Sequence, residues 1–173
     1  MTSQFTGGTI MPQTREEFIG LYGGIYEHSA WVAEETWDNR GDNADNDSLA
    51  EKLARCVDDA THEAKLTLIR AHPDLAGKAA IAGELTEEST DEQAAAGIDR
   101  CTPEEYEQFQ SLNAAYKEKF GFPFVMAVRN SNRHDILEAF TTRLKNDNET
   151  EFATAISEIH KIARLRLEAM DRP

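Results

Sequence analysis

The side chain in this sequence best suited to acid–base chemistry is His72. An imidazole titrates at about pH 6.5, so a histidine can give or take a proton at neutral pH. Pro73 follows it directly, and because proline disfavours helical geometry in the preceding residue, we expect His72 to end a helix. A histidine at that position can also serve only to complement the helix dipole. The local pattern therefore leaves a catalytic and a structural role open.

A second polar cluster comprises Ser89, Thr90, Asp91, Glu92 and Gln93. Ser-x-x-Glu is the pattern of a capping box, so Ser89 and Glu92 could do no more than start a helix. A helix start also offers unpaired backbone N–H groups to an anionic ligand. The structural role and a binding role are compatible here.

The last predicted helix places an arginine on its apolar face. Phe152, Ile156, Ile159 and Ala163 recur at helical spacing, and the next position of that series is Arg166. Arginine is rarely buried without a partner. Its guanidinium could reach water past the edge of the apolar stripe. Alternatively, it could point into a pocket and bind a carboxylate through two parallel hydrogen bonds.

Helix signals dominate the elements that must position these groups. Capping boxes predict helix starts at Thr14, Ser48 and Thr102, and Gly121 is expected to end the helix that begins at Thr102. Further helices are expected over 31–37, from Thr61 to His72, and over 89–96, about 133–145 and about 148–170. An acidic loop is expected over 40–47, and a less regular stretch over 74–88. The apolar run 122–128 could be a strand or a buried extended segment. The sequence therefore predicts an all-α, bundle-like fold with one short extended segment.

Composition limits the class of protein. A length of 173 residues with 40% hydrophobic residues suits one domain over 1–173, with its core at about 12–170. The net charge of 18 − 32 = −14 argues against nucleic acid as a partner. No apolar run approaches the roughly 20 residues of a membrane helix, and no signal peptide is evident, so we expect a cytoplasmic protein. The histidines and cysteines lack metal-ligand spacing, and no metal site is predicted.

Several motifs, in the same order along the chain, resemble the OHCU decarboxylase family, the 2-oxo-4-hydroxy-4-carboxy-5-ureidoimidazoline decarboxylases. The resemblance runs over about residues 12–170. The motifs are HPDLAG at 72–77, ELT at 84–86, Ser89 with Glu92 and Gln93, AG at 96–97, LNAAY at 112–116, FGFPFV at 120–125, and KI at 161–162 with LRL at 165–167.

The resemblance implies a helical, homodimeric, cofactor-free lyase that completes urate breakdown to (S)-allantoin. By position, it makes His72 the catalytic proton donor, with Glu92 and Arg166 completing the site. It also implies a set of substrate-contacting residues. These are Pro73, Ser89, Thr90, Asp91, Glu92, Gln93, Phe124, Val125, Met126, Ala127 and Val128.

Within this reading we expect Glu92 to orient His72 and to favour its charged form, because a nearby anion raises the pKa of a histidine. Arg166 could hold polar groups of the substrate ring or grip the departing carboxylate. Two other functions remain open. One is hydrolysis of a related ureide, with His72 and Glu92 activating water, and the other is a non-catalytic helical interaction module.

Overall fold

The computed structural model describes residues 12–41, 48–76 and 85–170, and every regular element within these ranges is helical. The elements are α1 (Arg15–Tyr22), α2 (Trp31–Asp38), α3 (Leu49–Asp58), α4 (His62–Arg70), α5 (Glu87–Ala95), a 3-10 turn (Ile98–Arg100), α6 (Pro103–Phe120), α7 (Arg133–Arg143) and α8 (Asn148–Met170). The predicted all-α class is confirmed. The acidic loop expected at 40–47 and the less regular stretch at 74–88 lie largely outside the described residues.

Side-chain caps fix where most of these helices begin. Thr14, Ser48 and Thr102 each form the predicted capping box, in which the cap side chain and a glutamate three residues later satisfy each other's backbone N–H groups. Gly121 ends α6 with a φ of 78°, a left-handed conformation that glycine adopts without a steric penalty. Thr61 caps α4, whose last helical residue is Arg70. His72 thus lies just beyond the helix end, as its proline neighbour predicts.

Helix α5 begins earlier than predicted. Its N-cap is Thr86, whose hydroxyl oxygen accepts a hydrogen bond from the backbone N–H of Ser89 at 3.2 Å. Ser89 is therefore the third helical residue, and the expectation that it caps the helix is wrong. Both residues are good caps by type, but a start at Thr86 places Glu87 and Glu88 in the first turn, where the helix dipole favours negative charge.

Helix α8 packs against α3, α4 and α6. Its buried face includes Ala155, Ile159 and Ala163, and it continues to Arg166. The predicted apolar face of the last helix is thus its core-facing side. None of the helices in the described ranges combines the length and apolar character that a membrane crossing requires.

The apolar run 122–128 is extended and has no strand partner among the described residues. Phe124 stacks on Phe140 of α7 with 3.7 Å between ring centroids. Arg143 donates a 2.7 Å hydrogen bond to the carbonyl oxygen of Val125. The sequence left strand and extended segment open, and the structure selects the second.

A buried charged cluster holds Arg143 in place. Its guanidinium pairs with Glu151 at 3.0 Å, and the hydroxyl of Tyr116 donates to the same carboxylate. Glu151 has no exposed surface. Buried ions are tolerated when they are paired and hydrogen-bonded. The backbone of the extended segment is therefore fixed to α6, α7 and α8.

Candidate active site

One cavity collects side chains from four distant parts of the chain. The segment after α4, helix α5, the extended segment and helix α8 each form one side. The lining residues are His72, Pro73, Leu75, Ser89, Glu92, Gln93, Phe124, Val125, Met126, Val128, Ile162 and Arg166. The structure thus brings together His72, Glu92 and Arg166, which are far apart in the sequence.

His72 is buried, and one of its ring nitrogens is already occupied. Nδ1 lies 2.9 Å from the carbonyl oxygen of Leu68. A carbonyl only accepts hydrogen bonds, so Nδ1 carries the hydrogen and Nε2 of the neutral ring has a free lone pair. Burial lowers the pKa of His72 to about 4, although the bond to Leu68 and the charge of Glu27 both act to raise it. His72 is therefore neutral at neutral pH.

Arg166 is buried and surrounded by acceptors, so the alternative in which it reaches water is wrong. Nε and Nη2 donate to the two carboxylate oxygens of Glu92 at 2.9 and 3.2 Å. Nη1 donates to the backbone carbonyls of Gly24 and Ile25 at 3.5 and 3.4 Å. Nη2 also lies 2.7 Å from Oε2 of Glu27. Burial alone would lower the pKa of Arg166, but Glu92 and Glu27 outweigh it and raise that pKa, so the charge is secure.

Glu27 is the residue of this cluster that the sequence did not single out. It lies between α1 and α2, and only 1% of its side chain is exposed. Its Oε1 accepts hydrogen bonds from the hydroxyls of Ser89 at 3.1 Å and Thr86 at 3.0 Å. Burial acts to raise the pKa of Glu27, but the charge of Arg166, 2.7 Å away, prevails and lowers it. A carboxylate in an irregular segment has no helical periodicity to indicate its burial, so no local sequence signal marked Glu27.

The expected pairing of Glu92 with His72 is not what the structure shows. The carboxylate of Glu92 is bound to Arg166, and the anion whose charge acts on His72 is Glu27. Burial outweighs that charge, so the ring is held neutral and not charged as expected. The sequence could identify the three residues, but it could not identify which carboxylate faces which cation.

The predicted polar cluster divides between two faces of α5. Ser89, Glu92 and Gln93 share one face at helical spacing and line the cavity. Thr90 and Asp91 are exposed and do not line it, and the Thr90 hydroxyl donates to the carbonyl of Thr86 at 2.9 Å. The prediction that these two contact substrate finds no support in their placement.

Gln93 also fixes the turn that follows Pro73. Its Oε1 accepts a 3.1 Å hydrogen bond from the backbone N–H of Ala76, while Asn113 donates to the carbonyl of Leu75 at 2.9 Å. In the sequence, Asn113 was placed only within the LNAAY motif and was assigned no role. A polar residue on the buried face of a helix was the signal that could have marked it.

The extended segment supplies an apolar wall, formed by Phe124, Val125, Met126 and Val128. Ala127, which was predicted to contact substrate, does not line the cavity, and its N–H lies 3.4 Å from a carboxylate oxygen of Glu158. Within the described residues, no group of three or more histidines, cysteines or acidic residues is arranged to hold a metal ion.

Comparison with known proteins identifies the family of this chain. The family model described as OHCU decarboxylase matches residues 12–168. The chain belongs to the OHCU decarboxylase family. The resemblance inferred from the motifs is thus confirmed over nearly the whole chain.

Two members of the family named 2-oxo-4-hydroxy-4-carboxy-5-ureidoimidazoline decarboxylase are particularly similar. The protein of Halalkalicoccus jeotgali is 43% identical over 159 residues, which cover 92% of this chain and 88% of that protein. The protein of Haloferax volcanii is 45% identical over 152 residues, which cover 88% of each. A crystal structure of (S)-allantoin synthase superposes with a TM-score of 0.71 at 35% identity, and the match covers 91% of this chain and 50% of that one.

Proposed function

We propose that this chain converts 2-oxo-4-hydroxy-4-carboxy-5-ureidoimidazoline to (S)-allantoin and carbon dioxide, and that the reaction takes place in the cavity lined by His72, Glu92 and Arg166. The chain is a carboxy-lyase of urate breakdown, as its family is. The observation that carries the location is that one cavity collects an imidazole, a carboxylate and a guanidinium from three separate elements. The wall formed by Phe124, Val125 and Met126 gives a flat heterocycle an apolar surface on which to lie.

The chemistry requires an electron pair to be stabilised and a proton to be placed. When carbon dioxide leaves, its bonding pair remains on a ring carbon and forms a double bond to the adjacent carbon, which bears the ureido group. The π pair of the existing carbon–nitrogen double bond then moves to the ring nitrogen, which takes a proton from water. The protein contributes position, electrostatic stabilisation and proton transfer.

His72 fits the proton transfer when it starts neutral. The hydroxyl group on the carbon that loses carbon dioxide must release its proton as that carbon becomes the carbonyl of the product. Nε2 of neutral His72 can accept this proton and then deliver it to the adjacent ring carbon. The ring is neutral again at the end. Delivery from one side only would give a single enantiomer of allantoin.

Glu92 suits the ureide part of the substrate. The bidentate bond to Arg166 fixes the orientation of the Glu92 carboxylate at the cavity. Each carboxylate oxygen can accept more than one hydrogen bond, so Glu92 can also receive N–H groups of the substrate. The assignment of Pro73, Gln93 and Val128 as further contacts follows their position on the cavity lining.

Three further expectations from the sequence stay predictions: one domain over the whole chain, a homodimer, and a cytoplasmic location. The predicted independence from cofactors also stays a prediction. The family resemblance supports the homodimer and the independence from cofactors, and length and composition support the single domain and the cytoplasmic location.

The decisive experiment is circular dichroism of freshly generated urate-oxidation product with and without the protein. We expect rapid formation of one allantoin enantiomer with release of carbon dioxide. The variant His72→Gln, checked for folding by far-ultraviolet spectra, should lower kcat by about 10² to 10⁴. Near-normal turnover by the folded variant would remove His72 from the mechanism. Release of ammonia or urea would favour a hydrolase, and absence of any acceleration would favour a non-catalytic module.

A further inference from the structure

The guanidinium of Arg166 has no N–H left for a ligand. Six oxygen atoms lie within 3.5 Å of its three nitrogens, two of Glu92 and one each of Glu27, Ser89, Gly24 and Ile25. A guanidinium has five N–H donors. The protein's own acceptors therefore occupy all of them, although Arg166 lines the cavity.

Among the side chains of this set, Glu27 is the one that does not itself line the cavity. It joins the segment between α1 and α2 to two helices, because its carboxylate contacts Arg166 of α8 at 2.7 Å and Thr86 and Ser89 of α5 at 3.0 and 3.1 Å. With 1% of its side chain exposed, it is a buried anion placed behind the cavity wall. Such burial is costly for a carboxylate unless it is paired.

The charges around the cavity do not favour a tightly held anion. With His72 neutral, the cationic Arg166 and the anionic Glu27 and Glu92 sum to +1 − 2 = −1. The substrate brings a carboxylate that must leave as uncharged carbon dioxide. An arginine that gripped this carboxylate would stabilise the bound substrate more than the transition state, in which that charge has moved into the ring.

We propose that Glu27 is a positioning residue that keeps Arg166 bonded to Glu92 and withholds it from the carboxylate that is lost. The proposal rests on the proposed function, because it names the group of that substrate which Arg166 does not bind. It decides between the two roles that the sequence left open for Arg166. In the native protein Arg166 orients Glu92, and the charge of Glu27, 2.7 Å away, offsets that of the guanidinium. Loss of the Glu27 charge would leave Arg166 more attractive to the substrate carboxylate.

The test compares Glu27→Gln and Glu27→Asp with the native protein. The glutamine keeps the shape of the side chain and loses the charge, whereas the aspartate keeps the charge on a shorter side chain. Calorimetry would measure binding of allantoate, a ureide with a carboxylate, and of allantoin, which has none. We expect Glu27→Gln to bind allantoate about tenfold more tightly, with allantoin affinity unchanged.

We expect the turnover of Glu27→Gln to fall although its affinity for allantoate rises. We expect kcat of Glu27→Gln to fall about tenfold or more while KM also falls. A merely structural loss would reduce the active fraction, and thus apparent kcat, without lowering KM. Glu27→Asp should restore allantoate affinity to within about threefold of the native value while kcat stays reduced, because the shorter side chain cannot reach both Arg166 and Ser89.

Glu105→Gln is the matched control, because it removes the carboxylate of another ion pair, 2.7 Å from Arg133, that does not line the cavity. It should leave allantoate affinity unchanged. Unchanged or weaker allantoate binding by folded Glu27→Gln would overturn the proposal. If that variant does not fold, full kcat in Glu27→Asp would overturn it. Failure of the native protein to decarboxylate would refute the proposed function, whereas the allantoate measurement tests Glu27 independently of turnover.

Discussion

At the scale of single residues, the site depends on two side chains whose behaviour is set by their surroundings, His72 and Arg166. The neutral state of His72 depends on burial, and the role of Arg166 depends on Glu27. Both are set by residues that are distant in the chain, and therefore no local pattern contains them.

The neutral state of His72 predicts how stability depends on pH. Its pKa is about 4 in the folded protein and about 6.5 when exposed, so the unfolded chain binds this proton more readily. The contribution of neutral His72 is therefore complete above about pH 6.5 and is lost as the pH falls towards 4. We expect the native protein to lose on the order of 1–3 kcal/mol more than His72→Gln between about pH 7 and pH 4.5.

Urea unfolding at several pH values in this interval measures the difference. Comparison with His72→Gln is the control, because the carboxylates that titrate in the same range are common to both proteins. Parallel pH dependences of the unfolding free energy would show that burial does not depress the pKa of His72.

At the scale of elements, helix α5 shows where local rules succeed and where they are ambiguous. Capping boxes at Thr14, Ser48 and Thr102 were recognised because each combines a cap with a glutamate three residues later. For α5, Thr86 and Ser89 were both acceptable caps by residue type. The choice of Thr86 also satisfies Glu27, a contact with the segment between α1 and α2 that the local sequence does not show.

Thr86 therefore has two roles that can be separated by mutation. Thr86→Ala should cost about 1 kcal/mol of stability through the lost cap. It should also lower kcat severalfold, because the Glu27 carboxylate loses one of its donors and α5 loses its attachment at the cavity. Thr102→Ala removes the equivalent cap of α6, whose hydroxyl has no contact with the cavity residues.

Urea unfolding and the allantoin assay on both variants provide the measurement. We expect similar losses of stability, with reduced turnover only in Thr86→Ala. Equal turnover in the two variants would mean that the Thr86 contact with Glu27 has no bearing on the site.

At the scale of the whole molecule, the fold class and the family were accessible from the sequence, because helix periodicity and ordered motifs extend over most of the chain. The path of the segment 122–128 was not, since an apolar run of that length suits a strand as well as a buried extended segment. Its conformation depends on Arg143 and Phe140, which lie beyond it in the sequence.

The net charge of −14 makes the folded protein repel itself, and salt screens such repulsion. We expect the melting temperature to rise by a few degrees between about 0.05 M and about 1 M potassium chloride. Thermal melts followed by circular dichroism would measure it. A melting temperature that is constant or falls over this range would show that the acidic residues do not destabilise the folded state at low salt.

The attachment of Val125 to Arg143, and through it to Glu151, has a consequence for redesign. The main chain of the cavity wall is fixed by atoms that belong to the core and not by the side chains that face the ligand. Met126, half-buried on the cavity, could therefore be replaced by smaller or larger residues without displacing that main chain. Substitutions of Met126 could therefore change which ureides bind without moving His72.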